Sequence, residues 1–317
     1  MKKEEIAKAS QKITEKILES IQEVVIGKEE VIRKMLICLM ANGHILIEDV
    51  PGIGKTTLVN ALAKAVQLDF RRIQFTPDLM PSDVTGFNLY NPKITDFEFK
   101  EGAINTQILL ADEINRSSPR TQSALLEAMQ EGQVTVEGIT YVLPQPFMVL
   151  ATQNPVEHVG TYPLPEAQMD RFMMRISIGY PSLEEEFDIL SLSPVTQANT
   201  KIKSNVREEE ILWLRQQIQY VHADNKIKHY ILDLCRKTRT NPDLSLGVSP
   251  RASQMLLAAS SARALMMGRD YLIPDDIQAL AHDVLDHRVI LNPQARGKGL
   301  TSKEIIQMIL DNTVAPR

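Results

Sequence analysis

The chain has 317 residues, 44% hydrophobic and 24% charged, the balance of an ordinary globular protein with length for two domains of unequal size. No apolar run approaches the roughly 20 residues of a membrane span, and the N-terminus MKKEEIAKASQKITEKI has no secretory h-region. A cytoplasmic protein without direct membrane insertion is expected, and a net charge of −5 with a pI near 5.8 offers nucleic acid no general attraction.

Residues 2–23 predict an amphipathic helix, with Ile6, Ile13, Ile17 and Leu18 on one side. Val24, Val25, Ile26 and Gly27 make a short apolar turn, and 28–41 predict a second helix. Cys38 lies in that helix and Cys235 far downstream in another apolar run, so both are expected as buried, reduced thiols. The six histidines show no metal-ligand spacing.

Ile45-Leu46-Ile47 reads as a buried strand, and Leu58, Val59, Leu62, Ala63 and Val66 recur at helical spacing. Between them stands Pro51-Gly52-Ile53-Gly54-Lys55-Thr56-Thr57, in the strand–loop–helix setting of a phosphate-binding P-loop. Phosphates need inward-pointing backbone N–H donors, and glycines let the chain wrap that closely. The following helix adds its positive end. Lys55 would reach the β- and γ-phosphates, and the Thr56 hydroxyl would ligate Mg²⁺. The full pattern GxxxxGK(S/T) asks for glycine at position 49, where this chain has Asp49.

Residues 70–75 predict a second strand. The segment 76–105, with Pro77, Pro81, Gly86, Pro92 and Gly102, is long enough to be a functional insertion or a lid. Residues 108–111 form a third strand ending at Asp112-Glu113, a helix follows over 119–130, and 133–143 is a hairpin turning at Glu137-Gly138. Strands over 147–151 and 173–178 complete five, and their alternation with helices predicts a parallel sheet covered on both faces. Beyond Pro181 the pattern is helical: a polar linker over 192–206, then helices near 207–222, 226–239, 250–267, 275–286 and 302–311. Ser249 with Pro250, and Pro274-Asp275-Asp276, mark helix starts.

Ligands of a parallel α/β sheet sit at the carboxyl ends of its strands, which brings Asp112 and Glu113 beside the phosphates. Asp112 suits work on Mg²⁺, and Glu113 suits a base that orients the attacking water. Asn154 ends the fourth strand; it suits a hydrogen bond to the water or the γ-phosphate, and Asn-Pro equally serves a turn. Arg171, beside Asp170, reads either as a local salt bridge or as an arginine that neutralises transition-state charge. Arg116 and Arg120, four apart on one helix face, read first as solvated charges and second as an interface pair.

Taken together, EDVPGIGKT, ILLADEINR, QSALLEAMQEGQVTVEG, ATQNPVE, YPLPEAQMDRF and GVSPRA resemble the MoxR family of AAA+ ATPases, in order and over nearly the whole chain. The resemblance implies an α/β P-loop AAA+ core with a five-stranded parallel sheet over 1–191, a linker over 192–206, and a smaller all-helical lid domain over 207–317. It implies Lys55 and Thr56 as Walker A, Asp112 and Glu113 as Walker B, and Asn154 as the first sensor. Arg171 becomes an arginine finger acting on a neighbouring subunit. Arg251 becomes the second sensor, in cis or in trans. Val25, Ile26 and Gly27 match the segment lining the adenine pocket, 76–105 the helix-2 insert, and 133–143 the pre-sensor hairpin.

The function so implied is an ATP-hydrolysing homo-oligomer, a hexamer, that uses ATP and Mg²⁺ to remodel, activate or load a protein client beside a von Willebrand factor A domain partner. A magnesium-chelatase-type motor is the nearest alternative. A nucleic-acid motor fits less well, because 133–143 carries no basic residue. A GTPase-type switch needs Asn-Lys-x-Asp, and Asn225-Lys226-Ile227-Lys228 fails at its last position.

Overall fold

The computed structural model describes residues 3–155, 160–191, 202 and 206–316. The chain opens with two helices, α1 (Lys3–Gln22) and α2 (Glu29–Met40), the second buried almost continuously from Val31 onward. Strand β1 (Ile45–Glu48), helix α3 (Lys55–Ala65) and edge strand β2 (Phe70–Gln74) follow. The segment 76–105, expected as an insertion or a lid, contains helix α4 (Pro81–Thr85) and a hairpin of β3 (Gly86–Asn91) and β4 (Asp96–Glu101). The chain leaves that hairpin at Gly102, where a Cβ would lie 2.2 Å from the Val84 carbonyl oxygen, so only glycine allows the two ends to close.

Next come β5 (Ile108–Asp112), α5 (Pro119–Glu131), the hairpin β6 (Gln133–Val136) and β7 (Ile139–Val142), then β8 (Met148–Gln153). A short helix α6 (Glu166–Met169), strand β9 (Met174–Ile176) and helix α7 (Leu183–Ser191) close this part. The five strands form one parallel sheet in the order β2-β5-β8-β1-β9. Its inner strands are apolar on both faces because both are covered. Side chains alternate: Leu46, Leu109, Ala111, Val149 and Ala151 face a cluster under α5. Ile45, Ile47, Ile108, Leu110 and Leu150 face a larger cluster shared with α1, α2 and α3. Truncating a fully buried member such as Leu110 to alanine costs about 2–5 kcal/mol.

The C-terminal part contains α8 (Glu208–Gln217), α9 (Asn225–Thr240), β10 (Leu244–Leu246), α10 (Pro250–Met266), α11 (Pro274–Leu285), β11 (Ile290–Leu291), α12 (Pro293–Gly297) and α13 (Ser302–Asp311). The expected all-helical lid thus also carries a two-stranded antiparallel ribbon, β10 with β11. Local apolar patterning missed it because three residues and two are too few for a strand period. Ser249 caps α10 as expected, accepting from the Ala252 N–H. Asp276, in the first turn of α11, is fully buried between Arg263 and Arg269. Apart from Ile202 and Val206, the linker over 192–206 lies outside the described residues.

Ion pairs and carbonyl caps bind the two parts: Lys34 of α2 meets Asp283 of α11 at 2.7 Å, and Arg215 of α8 donates to the carbonyls of Leu39 and Phe147. Among the described residues no helix is long and apolar enough to cross a membrane. Cys38 and Cys235 are both free and buried, and burial pushes each thiol pKa up.

Candidate active site

The loop between β1 and α3 is wrapped by two left-handed glycines, Gly52 at φ 89° and Gly54 at φ 84°. Asp49, at the start of the loop, is not left-handed and needs no glycine. Its carboxylate accepts from Ser177 Oγ at 2.8 Å and from the N–H groups of Ile178 and Gly179 at 2.5 and 3.3 Å. Its carbonyl accepts from Lys55 Nζ at 2.9 Å. The departure from the P-loop pattern is therefore a clamp that ties the loop to the chain leaving β9.

Pro51, Gly52, Gly54, Lys55, Thr56, Thr57, Asp112, Glu113 and Asn154 line one cleft of about 360 Å³. Three sheet strands deliver these side chains, since the carboxyl ends of β1, β5 and β8 lie side by side. Two further residues of that cleft, Arg72 and Gln74, were missed by sequence reasoning. They alternate onto one face of β2, and Gln74 stands in register with Asp112. Their signal was two polar residues at the carboxyl end of a strand, which an edge strand also carries for solubility.

Arg72 Nη2 donates to Asp112 Oδ2 at 2.6 Å, while Thr152 Oγ1 donates to Asp112 Oδ1 at 2.6 Å. Glu113 adopts a left-handed φ of 55°, and its carboxylate accepts from Gln74 at 2.8 Å and Arg116 at 3.0 Å. Arg116 belongs to the turn before α5, so it does not share a helix face with Arg120 as expected, and it serves Glu113 instead. The Thr56 hydroxyl and Asp112 carboxylate are hard oxygen donors. That set fits Mg²⁺, which keeps its other positions for water and phosphate oxygens.

A second cavity of about 450 Å³ adjoins the cleft and shares Pro51, Gly52, Gly54 and Thr57 with it. Val25, Ile26, Ile53, Tyr180, Pro181 and Leu190 supply apolar walls suited to a flat base. Gly27 is not among the lining residues; it lets the chain pass Glu185, whose Oε1 would lie 1.8 Å from a Cβ there.

Arg171 and Arg251 line neither of these. They share a third cavity of about 480 Å³ with His44 and Gln130. The expected local pairing of Asp170 with Arg171 does not form, because the Asp170 carboxylate is taken by Arg288 and Ser249. His44 is buried and neutral: Nδ1 accepts from the Val149 N–H and Nε2 donates to the Met129 carbonyl, each at 3.0 Å. Burial pushes its pKa down to about 4.

A parallel sheet with a P-loop, two carboxylates at the end of β5 and a helical lid is the architecture of the AAA class of P-loop proteins. Residues 44–174 match the ATPase family associated with various cellular activities (AAA), and residues 236–309 match the AAA lid domain. The protein YeaC of Bacillus subtilis is 51% identical over 301 residues, covering 95% of this chain and 94% of that one. Chaperone MoxR1 of Mycobacterium tuberculosis is 39% identical over 316 residues, covering 96% and 82%. The crystal structure of a candidate ATPase from Cytophaga hutchinsonii aligns with a TM-score of 0.92 at 41% identity, covering 99% of this chain and 98% of its own. The chain belongs to the MoxR family of AAA+ ATPases.

Proposed function

We propose that this protein hydrolyses ATP at sites shared between neighbouring subunits and uses the cycle to remodel or load a protein client. The observation that carries this reading is the separation of Arg171 and Arg251 from the phosphate cleft. A phosphoryl-transfer transition state gains most from a guanidinium on its oxygens, and the finger candidate lies in another cavity of the same chain. A neighbouring copy supplies it.

Within the cleft, Lys55 would bind the β- and γ-phosphates, while Thr56 and Asp112 would hold Mg²⁺. When bound there, Mg²⁺ supplies charge neutralisation at the phosphate oxygens. Glu113 takes a proton from water as its oxygen bonds to the γ-phosphorus and the bond to the bridging oxygen breaks. Asn154 orients that water. The side chains of Leu183, Phe187 and Leu190 on α7 are largely exposed, which supports a face covered by a second copy. A hexamer, a von Willebrand factor A domain partner and a protein client are what the family resemblance adds.

The test mixes Arg171→Ala with Glu113→Gln under conditions that let subunits exchange. Each should bind ATP and hydrolyse little alone. For equal random mixing about a quarter of the interfaces pair an intact Glu113 with an intact Arg171, and a finger is worth roughly 10³-fold or more. Activity should rise clearly above both parents. Verified exchange with no rise would remove the shared-site reading.

A further inference from the structure

Arg171 and Arg251 come from distant parts of the chain, yet one carboxylate joins the segments that carry them. Asp170, adjacent to Arg171, accepts from Ser249 Oγ at 2.9 Å and from Arg288 Nε at 2.7 Å. Ser249 caps α10, and Arg251 stands in the first turn of that helix. The Arg288 side chain is 1% exposed. Its remaining N–H groups donate to the carbonyls of Asp170, Phe172, Met173 and Val284. One guanidinium thus grips the backbone on both sides of Arg171 and the end of α11.

A buried ion pair is a poor device for stability alone, because apolar residues of equal volume often do as well. What an apolar side chain cannot supply is direction. A planar fork with five donors fixes several acceptors in one geometry, which a lysine ammonium does not reproduce. The acceptors here are the segments that aim the two arginines of the third cavity.

We propose that Arg288, through Asp170 and Ser249, is a positioning residue that holds Arg171 and Arg251 as one rigid face presented to the neighbouring subunit's phosphates. This rests on the shared-site reading above. It follows that a subunit lacking the clasp receives a finger normally but donates one poorly, although both arginines remain in its sequence.

The experiment uses Arg288→Lys, with Asp170→Asn as a second variant that keeps side-chain size. Each is mixed with Glu113→Gln and, separately, with Arg171→Ala, with the Arg171→Ala and Glu113→Gln mixture as control. Alone, each variant should lose about 10²-fold in turnover, the scale of a misplacement near 1 Å. Glu113→Gln subunits carry an intact clasp and should restore activity, whereas Arg171→Ala subunits should not. A globally damaged subunit would be rescued by neither partner. Rescue by both, rescue by neither while the control recovers, or full activity of Arg288→Lys alone each overturns the proposal. A control that stays inactive instead brings down the shared-site reading, and the clasp proposal with it. Should Arg288→Lys not assemble, Asp170→Asn meets the same criteria in the same mixtures.

Discussion

Asp49 has a position dictated by contacts made 128 residues and more along the chain, to Ser177, Ile178 and Gly179. Asp49→Gly would restore the usual P-loop residue yet strip two backbone N–H groups of their charged acceptor. Loss of about 1–3 kcal/mol is expected, read from the urea midpoint at constant m value. An unchanged midpoint would mean the clamp contributes nothing to stability. His44 makes a different prediction. Its pKa falls from the ordinary 6.5 to about 4 in the folded protein, so between those values the unfolded chain binds more protons. Stability from this group is therefore full above pH 6.5 and is lost as pH falls toward 4, on the order of 3 kcal/mol. His287, also buried, has its pKa pushed down by burial and by Arg288, and acts in the same sense. Denaturation between pH 7 and 4.5 should show a decline that begins above the carboxylate range. A flat profile down to pH 5 would contradict it.

At the scale of elements, the two hairpins are one unit. Phe99 of β4 stacks on Tyr141 of β7 with centroids 3.8 Å apart, and Asn88 of β3 donates to Glu137 at the other hairpin's turn at 2.9 Å. Phe87, Phe97 and Ile139 stay exposed on this unit, the kind of surface a client would cover. Strand β2 touches both the unit and the cleft. Arg71 donates to the Gly102 carbonyl at the insert's base, while Arg72 and Gln74, two apart and hence on one face, hold Asp112 and Glu113. Tyr141→Ala should therefore speed amide exchange in β3 and β4 as well as in its own hairpin, with the global unfolding midpoint little changed. Faster exchange confined to β6 and β7 would show that the hairpins move independently. The hairpin at 133–143 was legible from its alternation and from Glu137-Gly138, whose residues have φ of 49° and 84°. The one at 86–101 was not, because its exposed aromatic residues follow prolines and its strands bury little.

For the whole molecule, the sequence alone determined what depends on neighbours along the chain. The strand–loop–helix around Lys55, the apolar runs of the inner strands, the helix starts at Ser249 and Pro274 and the carboxylates closing β5 are all local patterns. Periodicity, turn chemistry and motif spacing express local patterns directly. Tertiary structure decided what depends on residues far apart in sequence. It placed Arg72 and Gln74 on the carboxylates at the end of β5, gave Asp49 its partners, and put Arg171 in one cavity with Arg251 rather than in the P-loop cleft. It also turned Asp170 away from its sequence neighbour toward Arg288, a contact spanning 118 residues. The physical reason is that a side chain's partner across a fold is chosen by sheet order and helix packing. Residue types along the chain specify those arrangements jointly and never at any single position.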